Sequence, residues 1–209
     1  MLIALIPAHN EAGCIANAIN GLKSQTVQPD CIIVVADNCT DETDVVSIAN
    51  GAKVLYTNGN TDKKAGALNG ALRHFMSLMD DDDYVLVTDA DSVLDPTFIE
   101  TALETLKDRS YGGVGGVFRG DPGGGFVGNL QRNEYLRYAR DVRRLKGRCL
   151  VITGTAAVFP VRVLREISEA RLNGTLPPGN GHGGIYDTSV LTEDNELSFA
   201  IQTLKYRIH

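Results

Sequence analysis

The chain has 209 residues, of which 43% are hydrophobic and 22% are charged, and its formal net charge is −6 at pH 7. This length suits one well-buried α/β domain, and the negative charge argues against a nucleic-acid-binding protein. No apolar run approaches the ~18 residues of a membrane span, and the first residues lack the features of a signal peptide. The four cysteines show neither a Cys-x-x-Cys pair nor zinc-site spacing, which indicates a reducing compartment.

Strand and helix patterns alternate through the first half of the chain. Short apolar runs predict strands at 2–6, 31–36 and 53–56, with Pro7 ending the first, and a fourth strand that begins at Tyr84. Apolar residues at helical spacing predict helices at 11–22, 64–79 and 96–107, and a short one that ends near Asn50. Strand–helix units of about 30 residues imply right-handed crossovers, and therefore a parallel sheet with helices on both faces.

The second half of the chain is less regular. The patterns predict, in order, a strand at 114–118, a helix at 126–148, a strand at 149–153, a helix at 161–172 and a last helix from Thr192 to Leu204. The helix at 126–148 carries seven basic and two acidic residues. We interpret it as an exposed helical face in preference to a patch for an anionic partner. The glycine-rich loop at 173–188 is predicted to be a mobile lid. No composition break marks a boundary, so a single domain is expected.

Two aspartates follow the fourth strand directly. Asp89 and Asp91 lie where a buried parallel strand reaches the carboxyl edge of its sheet, which is where open α/β sheets bind ligands. Two carboxylates so close together are unfavourable unless a cation lies beside them, and a divalent metal that holds a diphosphate meets that need. A solvated strand-to-helix turn explains this pair equally well, so the functional interpretation depends on the other strand ends.

Short segments that contain polar residues also follow the other strands or begin the later helices. They are Pro7, Ala8, His9, Asn10 and Glu11 after the first strand, Asp37 after the second, Lys64 at a helix start, Asp89, Ala90 and Asp91 after the fourth strand, Gly154 and Thr155, and finally Glu193 and Asp194. In a parallel sheet these positions can converge on one edge. The set combines metal ligands, a lysine at a helix start that suits a phosphate, and a late carboxylate that can act as a base. This combination suits a group transfer from a diphosphate leaving group.

Six motifs carry a resemblance to a known family. They are IPAHNE, VVADNCTDET, KAGALN, TDADS, TGTAAVF and LTEDNELS. In this order they resemble the inverting family-2 glycosyltransferases of GT-A fold, and in particular the cellulose synthase, hyaluronan synthase and N-acetylglucosaminyltransferase branch. The resemblance covers nearly the whole chain. It implies a Rossmann-like, mostly parallel sheet in a single domain, with a nucleotide-sugar-binding half at 1–107 and an acceptor-binding half at 108–209.

The resemblance also implies roles for individual residues. Pro7 to Glu11 would hold the uracil of a UDP-sugar together with Asp37, whose carboxylate accepts the ring N–H. Lys64 matches a lysine near the diphosphate. Asp89 and Ala90 would face the ribose, and Asp91, with Asp89 beside it, would bind Mn²⁺ or Mg²⁺. Gly154 and Thr155 match a segment that lines the acceptor site. Asp194 matches the general base, and Glu193 would either assist it or only complement the helix dipole.

Two features depart from this branch of the family. Its members continue into a Q-x-x-R-W segment, whereas here Gln202 is followed by Thr-Leu-Lys-Tyr and the sequence stops at His209. Processive members also carry transmembrane helices, and none is predicted here. The expectation is therefore a cytoplasmic protein, either a free non-processive enzyme or the cytosolic part of a longer membrane protein. The acceptor is left open as a carbohydrate, a lipid or a protein.

Three other functions fit the sequence less well than a glycosyltransferase does. A module that binds nucleotide sugars without turnover fits a truncated chain, but the intact Asp91 and Asp194 argue against a decayed site. A sugar-1-phosphate nucleotidyltransferase needs a glycine-rich basic loop after its first strand, and AHNEAG is not one. A dehydrogenase needs a G-x-G-x-x-G turn at the same place, which is missing.

Overall fold

The computed structural model describes residues 1–117, 119–120, 125–144 and 149–209. Strands and helices alternate along these ranges. In chain order they are β1 Leu2–Ala8, α1 Ile15–Lys23, β2 Cys31–Ala36, α2 Thr43–Ala49, β3 Lys53–Tyr56, α3 Lys63–Met76, β4 Tyr84–Thr88, α4 Phe98–Leu106, β5 Tyr111–Gly115, α5 Gly125–Arg144, β6 Ala156–Pro160, α6 Val161–Leu172, α7 Glu193–Thr203 and β7 Arg207–Ile208.

The strands form one sheet in the order β3-β2-β1-β4-β6-β5-β7. The first four strands in this order are parallel, with Ile3 paired to Cys31 and Leu2 paired to Tyr84. Strand β6 runs antiparallel to both of its neighbours, and β7 pairs in parallel with β5. The prediction of a single α/β domain with a mostly parallel sheet is therefore confirmed, with one reversed strand near the middle.

Helices cover both faces of the sheet. On one face, Leu68 and Leu72 of α3 pack with Leu164 of α6 in a buried cluster that also includes residues of α7. On the other face, Ile19 of α1 and Ile99 of α4 belong to a second buried cluster. Because the central strands are buried on both sides, they read as continuous apolar runs, which is typical of parallel sheets.

Several strand predictions are wrong in detail. Strand β1 continues through Pro7, because beyond Leu5 it pairs only with β2 and a missing N–H is tolerated on the unpaired side. The strand predicted at 114–118 begins earlier, at Tyr111, and Phe118 lies outside the described residues. The strand predicted at 149–153 is not one. The strand follows it at Ala156–Pro160, and its two alanines have low strand propensity.

The loop at 173–188 is packed against the domain at its end, and its role as a mobile lid stays a prediction. The buried amide of Asn69 on α3 exchanges two hydrogen bonds with the backbone of Tyr186, at 2.8 and 2.9 Å. The guanidinium of Arg171 on α6 is also buried, and it donates to the carbonyl oxygens of Pro177 and Ile185. Since Ile185 and Tyr186 are themselves buried, the end of this loop belongs to the core.

The remaining differences concern the second half of the chain. Helix α5 is described from Gly125 to Arg144, and the predicted extension to 148 lies outside the described residues. Strand β7 was not predicted, since two residues are too short for a pattern. Within the described ranges, every helix is too short or too polar to cross a bilayer.

Candidate active site

The carboxyl ends of β1, β2 and β4 meet at one edge of the sheet, as the parallel arrangement predicts. Asp37 follows β2, and its amide donates to the Ala8 carbonyl oxygen at the end of β1, at 2.8 Å. Asp89 follows β4, and its amide donates to the Thr155 carbonyl oxygen at 2.9 Å. Strand β6 is antiparallel, so its first residues, and not its last, reach this edge. Gly154 therefore lies at the predicted place although its strand was assigned wrongly.

A cavity of about 240 Å³ lies at this edge, and it is here called the donor cleft after the role that the sequence resemblance implies for its residues. Its lining consists of Pro7, Ala8, His9, Glu11, Asp37, Lys64, Ala67, Asp89, Ala90 and Asp91. All of these residues except Ala67 were predicted from the sequence. Ala67 lies one helical turn after Lys64 on α3, where its small side chain reads as ordinary core.

Asn10 is the predicted nucleotide-binding residue that does not line the donor cleft. Its side-chain oxygen accepts hydrogen bonds from the amides of Thr40 and Asp41, at 2.7 and 3.3 Å, and its backbone is left-handed, with φ of 60°. Asparagine adopts that conformation more readily than most residues. Asn10 therefore fixes the loop after β1 against the loop after β2.

His9 also has a structural contact. Its Nδ1 lies 2.6 Å from the Asp37 carbonyl oxygen, which orients the ring at the rim of the donor cleft. A carbonyl oxygen only accepts hydrogen bonds, so Nδ1 carries the proton in this contact. The other ring nitrogen is then the one available to a ligand.

Asp37 is buried and its carboxylate is held by three side chains. Oδ1 accepts from the Thr57 hydroxyl at 2.7 Å and from the Asn38 amide at 3.1 Å, and Oδ2 accepts from the Asn60 amide at 2.8 Å. A carboxylate has about four acceptor positions. The three contacts thus leave one acceptor position, on Oδ2.

Lys64 lies in the first turn of α3 and connects the two sides of the site. Its ammonium group lies 2.6 Å from Asp89 Oδ1 and donates to the Gly154 carbonyl oxygen at 3.0 Å. Glu193 Oε1 lies 3.9 Å from the same nitrogen. The lysine therefore stands between a carboxylate of the donor cleft and the segment that precedes β6.

The charge on Asp89 is only partly balanced. Burial raises the pKa of the Asp89 carboxyl, and the nearby charges of Asp91 and Glu193 add to this shift, while Lys64 opposes it. Asp91 is exposed, and its Oδ1 accepts a hydrogen bond from the Ser92 hydroxyl at 3.2 Å. An additional cation beside Asp89 and Asp91 would relieve this repulsion.

The oxygen atoms that line the donor cleft suit a metal that binds together with a diphosphate. Among the described residues, no group of three or more His, Cys, Asp or Glu side chains is placed to hold a metal by itself. Asp89, Asp91 and Glu11 nevertheless all line the donor cleft with hard oxygen ligands. Mg²⁺ and Mn²⁺ are commonly held by one or two carboxylates together with phosphate oxygens. The cleft offers the protein part of such a site.

Asp194 lies in the first turn of α7 and is held by backbone amides. Its Oδ2 accepts from the Gly154 amide at 3.1 Å, and its Oδ1 accepts from the Asn195 amide at 2.8 Å. The positive end of the α7 helix dipole lies at this position. Thr192, where the sequence predicted this helix to begin, occupies its N-cap position without a capping hydrogen bond from its side chain.

A second cavity, here called the acceptor cleft, shares Lys64 and Asp89 with the donor cleft. Its volume is about 590 Å³. One wall contains the predicted residues Gly154, Thr155, Glu193 and Asp194. The other wall is α5, through Glu134, Tyr135, Arg137, Tyr138 and Asp141. The α5 residues were missed, because the arginine-rich pattern drew attention to the exposed face of this helix.

The comparison with protein families gives a direct result. The model described as "Glycosyl transferase family 2" matches residues 3–168 of the chain. The chain belongs to glycosyl transferase family 2. No curated protein gave a significant match. The family match includes the donor cleft, Gly154 and Thr155, and it ends before α7 and Asp194.

Solved glycosyltransferase structures share the fold. Mannosyltransferase PcManGT from Pyrobaculum calidifontis, in complex with GDP-Man and Mn²⁺, has a TM-score of 0.70 at 24% identity and covers 99% of this chain and 53% of its own. Glucosyl-3-phosphoglycerate synthase from Mycobacterium tuberculosis, in complex with Mn²⁺, UDP and phosphoglyceric acid, has a TM-score of 0.54 at 22% identity, with coverages of 78% and 57%. Mannosyl-3-phosphoglycerate synthase from Rubrobacter xylanophilus has a TM-score of 0.53 at 23% identity, and the match covers 77% of this chain and 54% of its own.

The family-2 chain thus spans little more than half the length of these solved structures. At such identities the likeness establishes the GT-A fold, and the chemistry of the site depends on the residues themselves.

Proposed function

We propose that the chain is the catalytic domain of an inverting glycosyltransferase that moves a hexosyl group from a UDP-sugar to an acceptor hydroxyl. The observation that carries the proposal is the series of contacts from Asp89 through Lys64 and Gly154 to Asp194. These contacts join side chains suited to a metal-bound diphosphate with a carboxylate suited to act as a base. Residues 1–107 form the donor half, and 108–209 form the acceptor half.

The proposed reaction is a single displacement. Asp194 takes the proton of the acceptor hydroxyl while that oxygen forms its bond to the anomeric carbon. The bond between the anomeric carbon and the β-phosphate oxygen breaks, and its electron pair leaves with UDP. Attack opposite the leaving group inverts the anomeric configuration, so no covalent intermediate with the protein forms. Glu193 lies beside the base, within 3.9 Å of the Lys64 ammonium, and helps to position that lysine.

The donor cleft supplies the charge that the departing UDP requires. A divalent metal, when bound with the donor, neutralises charge that develops on the diphosphate. Asp91 and Asp89 are the proposed protein ligands of that metal. Lys64 lies at the N-terminus of α3, a position that favours phosphate through both the side chain and the helix dipole.

Asp37 is proposed to select the nucleobase. One free position on its carboxylate can accept the N3–H of uracil, whereas adenine presents an acceptor at the corresponding position. Guanine also offers a ring N–H donor, at N1, and the P. calidifontis mannosyltransferase was solved with GDP-Man. UDP is the expected donor nucleotide, and GDP is the alternative that the same carboxylate accommodates.

Within family 2, we propose that the chain belongs to the cellulose synthase, hyaluronan synthase and N-acetylglucosaminyltransferase branch. It is supported by the Thr192-Glu193-Asp194 motif, which lies at the start of α7 beside the acceptor cleft. We propose a cytoplasmic location, because the four cysteines are free thiols, as expected in a reducing compartment. These assignments determine which sugars belong in a first assay.

The experiment that tests the function is a panel of nucleotide sugars. The protein is incubated with Mn²⁺, a mixture of acceptors and one donor at a time, chosen from UDP-glucose, UDP-N-acetylglucosamine, GDP-mannose and ADP-glucose. The expected result is release of UDP, together with a product of inverted anomeric configuration. Donor binding without UDP release under any condition would instead identify a binding module, and failure to bind any of the donors would contradict the proposal.

A further inference from the structure

The charged side chains of the acceptor cleft are mostly acidic. Among the described residues that line it, five are acidic and two are basic, so the formal excess is three negative charges. The acidic residues are Asp89, Glu134, Asp141, Glu193 and Asp194, and the basic residues are Lys64 and Arg137. A UDP-sugar diphosphate and a divalent metal bring opposite charges of equal formal size, so their binding would leave this excess unchanged.

Both basic side chains are already paired with carboxylates. The Lys64 ammonium lies 2.6 Å from Asp89, and the Arg137 guanidinium lies 2.9 Å from Glu134. An anionic acceptor would have to break one of these pairs or lie among the remaining carboxylates. Like charges placed against each other across a binding site cost affinity, and proteins use this repulsion to reject wrong ligands.

The wall formed by α5 also presents two aromatic rings. Tyr135 and Tyr138 both line the acceptor cleft and are half-buried, and the Tyr138 hydroxyl lies 3.5 Å from the Val151 carbonyl oxygen. A tyrosine offers a flat apolar face with a polar edge. A pyranose ring has complementary features, namely an apolar C–H face and a rim of hydroxyls that donate hydrogen bonds to carboxylates. The cleft volume of about 590 Å³ suits a ligand of that size.

We propose that the acceptor is a neutral carbohydrate, bound against Tyr135 and Tyr138, and that phosphorylated acceptors are rejected by the carboxylates that line the acceptor cleft, here called the acidic wall. This inference rests on the proposed function and names its acceptor class. It separates the chain from the M. tuberculosis structure of similar fold, which was solved with phosphoglyceric acid. One hydroxyl of the sugar gives its proton to Asp194 and its oxygen to the anomeric carbon of the donor.

The experiment uses acceptor pairs that differ only in charge. With the donor that the nucleotide-sugar panel selects, we compare glucose with glucose 6-phosphate, and N-acetylglucosamine with its 6-phosphate, and include 3-phosphoglycerate. The neutral member of each pair should have the higher kcat/KM, by about tenfold or more, and added salt should narrow the difference through screening. A preference for the phosphorylated members or for 3-phosphoglycerate would overturn the inference. If no acceptor is turned over, titration of the same pairs into the protein with UDP and Mn²⁺ decides the question by the same comparison.

Variants of α5 test the acidic wall itself. Asp141→Lys should raise kcat/KM for the phosphorylated acceptors by about tenfold and leave donor affinity unchanged. Glu169→Lys, an equal change of charge on an exposed residue of α6, is the matched control and should change neither. Equal effects of the two variants would contradict a local role of the acidic wall. If the unmodified protein binds none of the sugar donors, the result counts against the proposed function. If it uses a sugar donor but transfers the sugar preferentially to a charged acceptor, the result counts only against this inference.

Discussion

The Gly154 amide donates a hydrogen bond to Asp194 Oδ2 at 3.1 Å, so the segment before β6 holds the proposed base at the start of α7. The carbonyl oxygen of the same glycine accepts a hydrogen bond from Lys64 at 3.0 Å. One residue thus connects the donor side of the site with the acceptor side. The position is also tight, because a Cβ added to Gly154 would lie 3.0 Å from Asp194 Oδ2 and would push this side chain aside.

Gly154→Ala should therefore displace Asp194 without changing the donor cleft. We expect kcat to fall by about tenfold to a hundredfold, since small displacements of a reacting group have effects of this size. The dissociation constant for UDP, measured by calorimetry, should stay within about twofold of the original value. Gly70→Ala is the matched control, because a Cβ added on this exposed position of α3 meets no atom within 4 Å. A Gly154→Ala enzyme with normal turnover would contradict this account, because it would show either that the added methyl group does not displace Asp194 or that Asp194 is not the base.

Binding of UDP should depend on a divalent cation through Asp91. Mn²⁺ should strengthen UDP binding by about tenfold or more, because it relieves repulsion among carboxylates and phosphates. Asp91→Ala should abolish this gain. Ser92→Ala should preserve it, since the serine only donates a hydrogen bond to Asp91 at 3.2 Å. Tight UDP binding that EDTA leaves unchanged is the result that would rule out the metal assignment.

The carboxylate of Asp37 should discriminate between nucleobases. UDP should bind more tightly than ADP, because adenine would leave two acceptors facing each other, at a cost of about 1–3 kcal/mol. Asp37→Ala should narrow the difference in a competition assay. Thr57→Val, which removes the hydroxyl that donates to Asp37 at 2.7 Å, should have a smaller effect of the same sign. Equal affinity of the original protein for both nucleotides would contradict the assignment.

The raised pKa of Asp89 should be visible in the stability of the free protein. Because burial raises this pKa above the value of the unfolded chain, the folded state binds the proton more tightly. The contribution of Asp89 to the free energy of unfolding therefore falls as pH rises from the unfolded pKa through the folded one. In EDTA, Asp89→Asn should gain stability relative to the original protein as pH rises above about 4, the pKa of an aspartate in an unfolded chain, as measured by urea denaturation. A difference that changes in the opposite direction would mean that Lys64 outweighs burial.

The sequence was sufficient for the parallel half of the fold. Strands β2 and β3 were predicted at the observed residues, because their apolar runs are short and are bounded by turn residues. The residues of the donor cleft could be predicted from this half of the chain, because the carboxyl ends of neighbouring parallel strands lie at the same edge of the sheet. Asn10 was the exception. Its role in fixing two loops depends on a left-handed backbone that the motif does not reveal.

The second half could not be predicted as well, for physical reasons. The direction of β6 depends on its pairing with Thr88 and its neighbours, and such long-range pairing leaves no local pattern. The hydrogen bonds between the buried side chain of Asn69 and the backbone of Tyr186 likewise join two residues that are 117 positions apart in the sequence. Tyr135 and Tyr138 were missed because their neighbours in the acceptor cleft come from other elements.

The most direct test of the proposed mechanism is the substitution Asp194→Asn. The asparagine side chain is nearly isosteric with aspartate but cannot act as a base. The Asp194 side chain that it replaces lies on the acceptor side of Lys64. We expect the affinity for the UDP-sugar to stay within a few-fold, while the rate of sugar transfer falls by about 10²–10⁴-fold. Measured together with the anomeric configuration of the product, which should be inverted, this result would establish Asp194 as the base. Near-normal turnover of Asp194→Asn, or a product of retained configuration, would contradict the mechanism and direct attention first to Glu193.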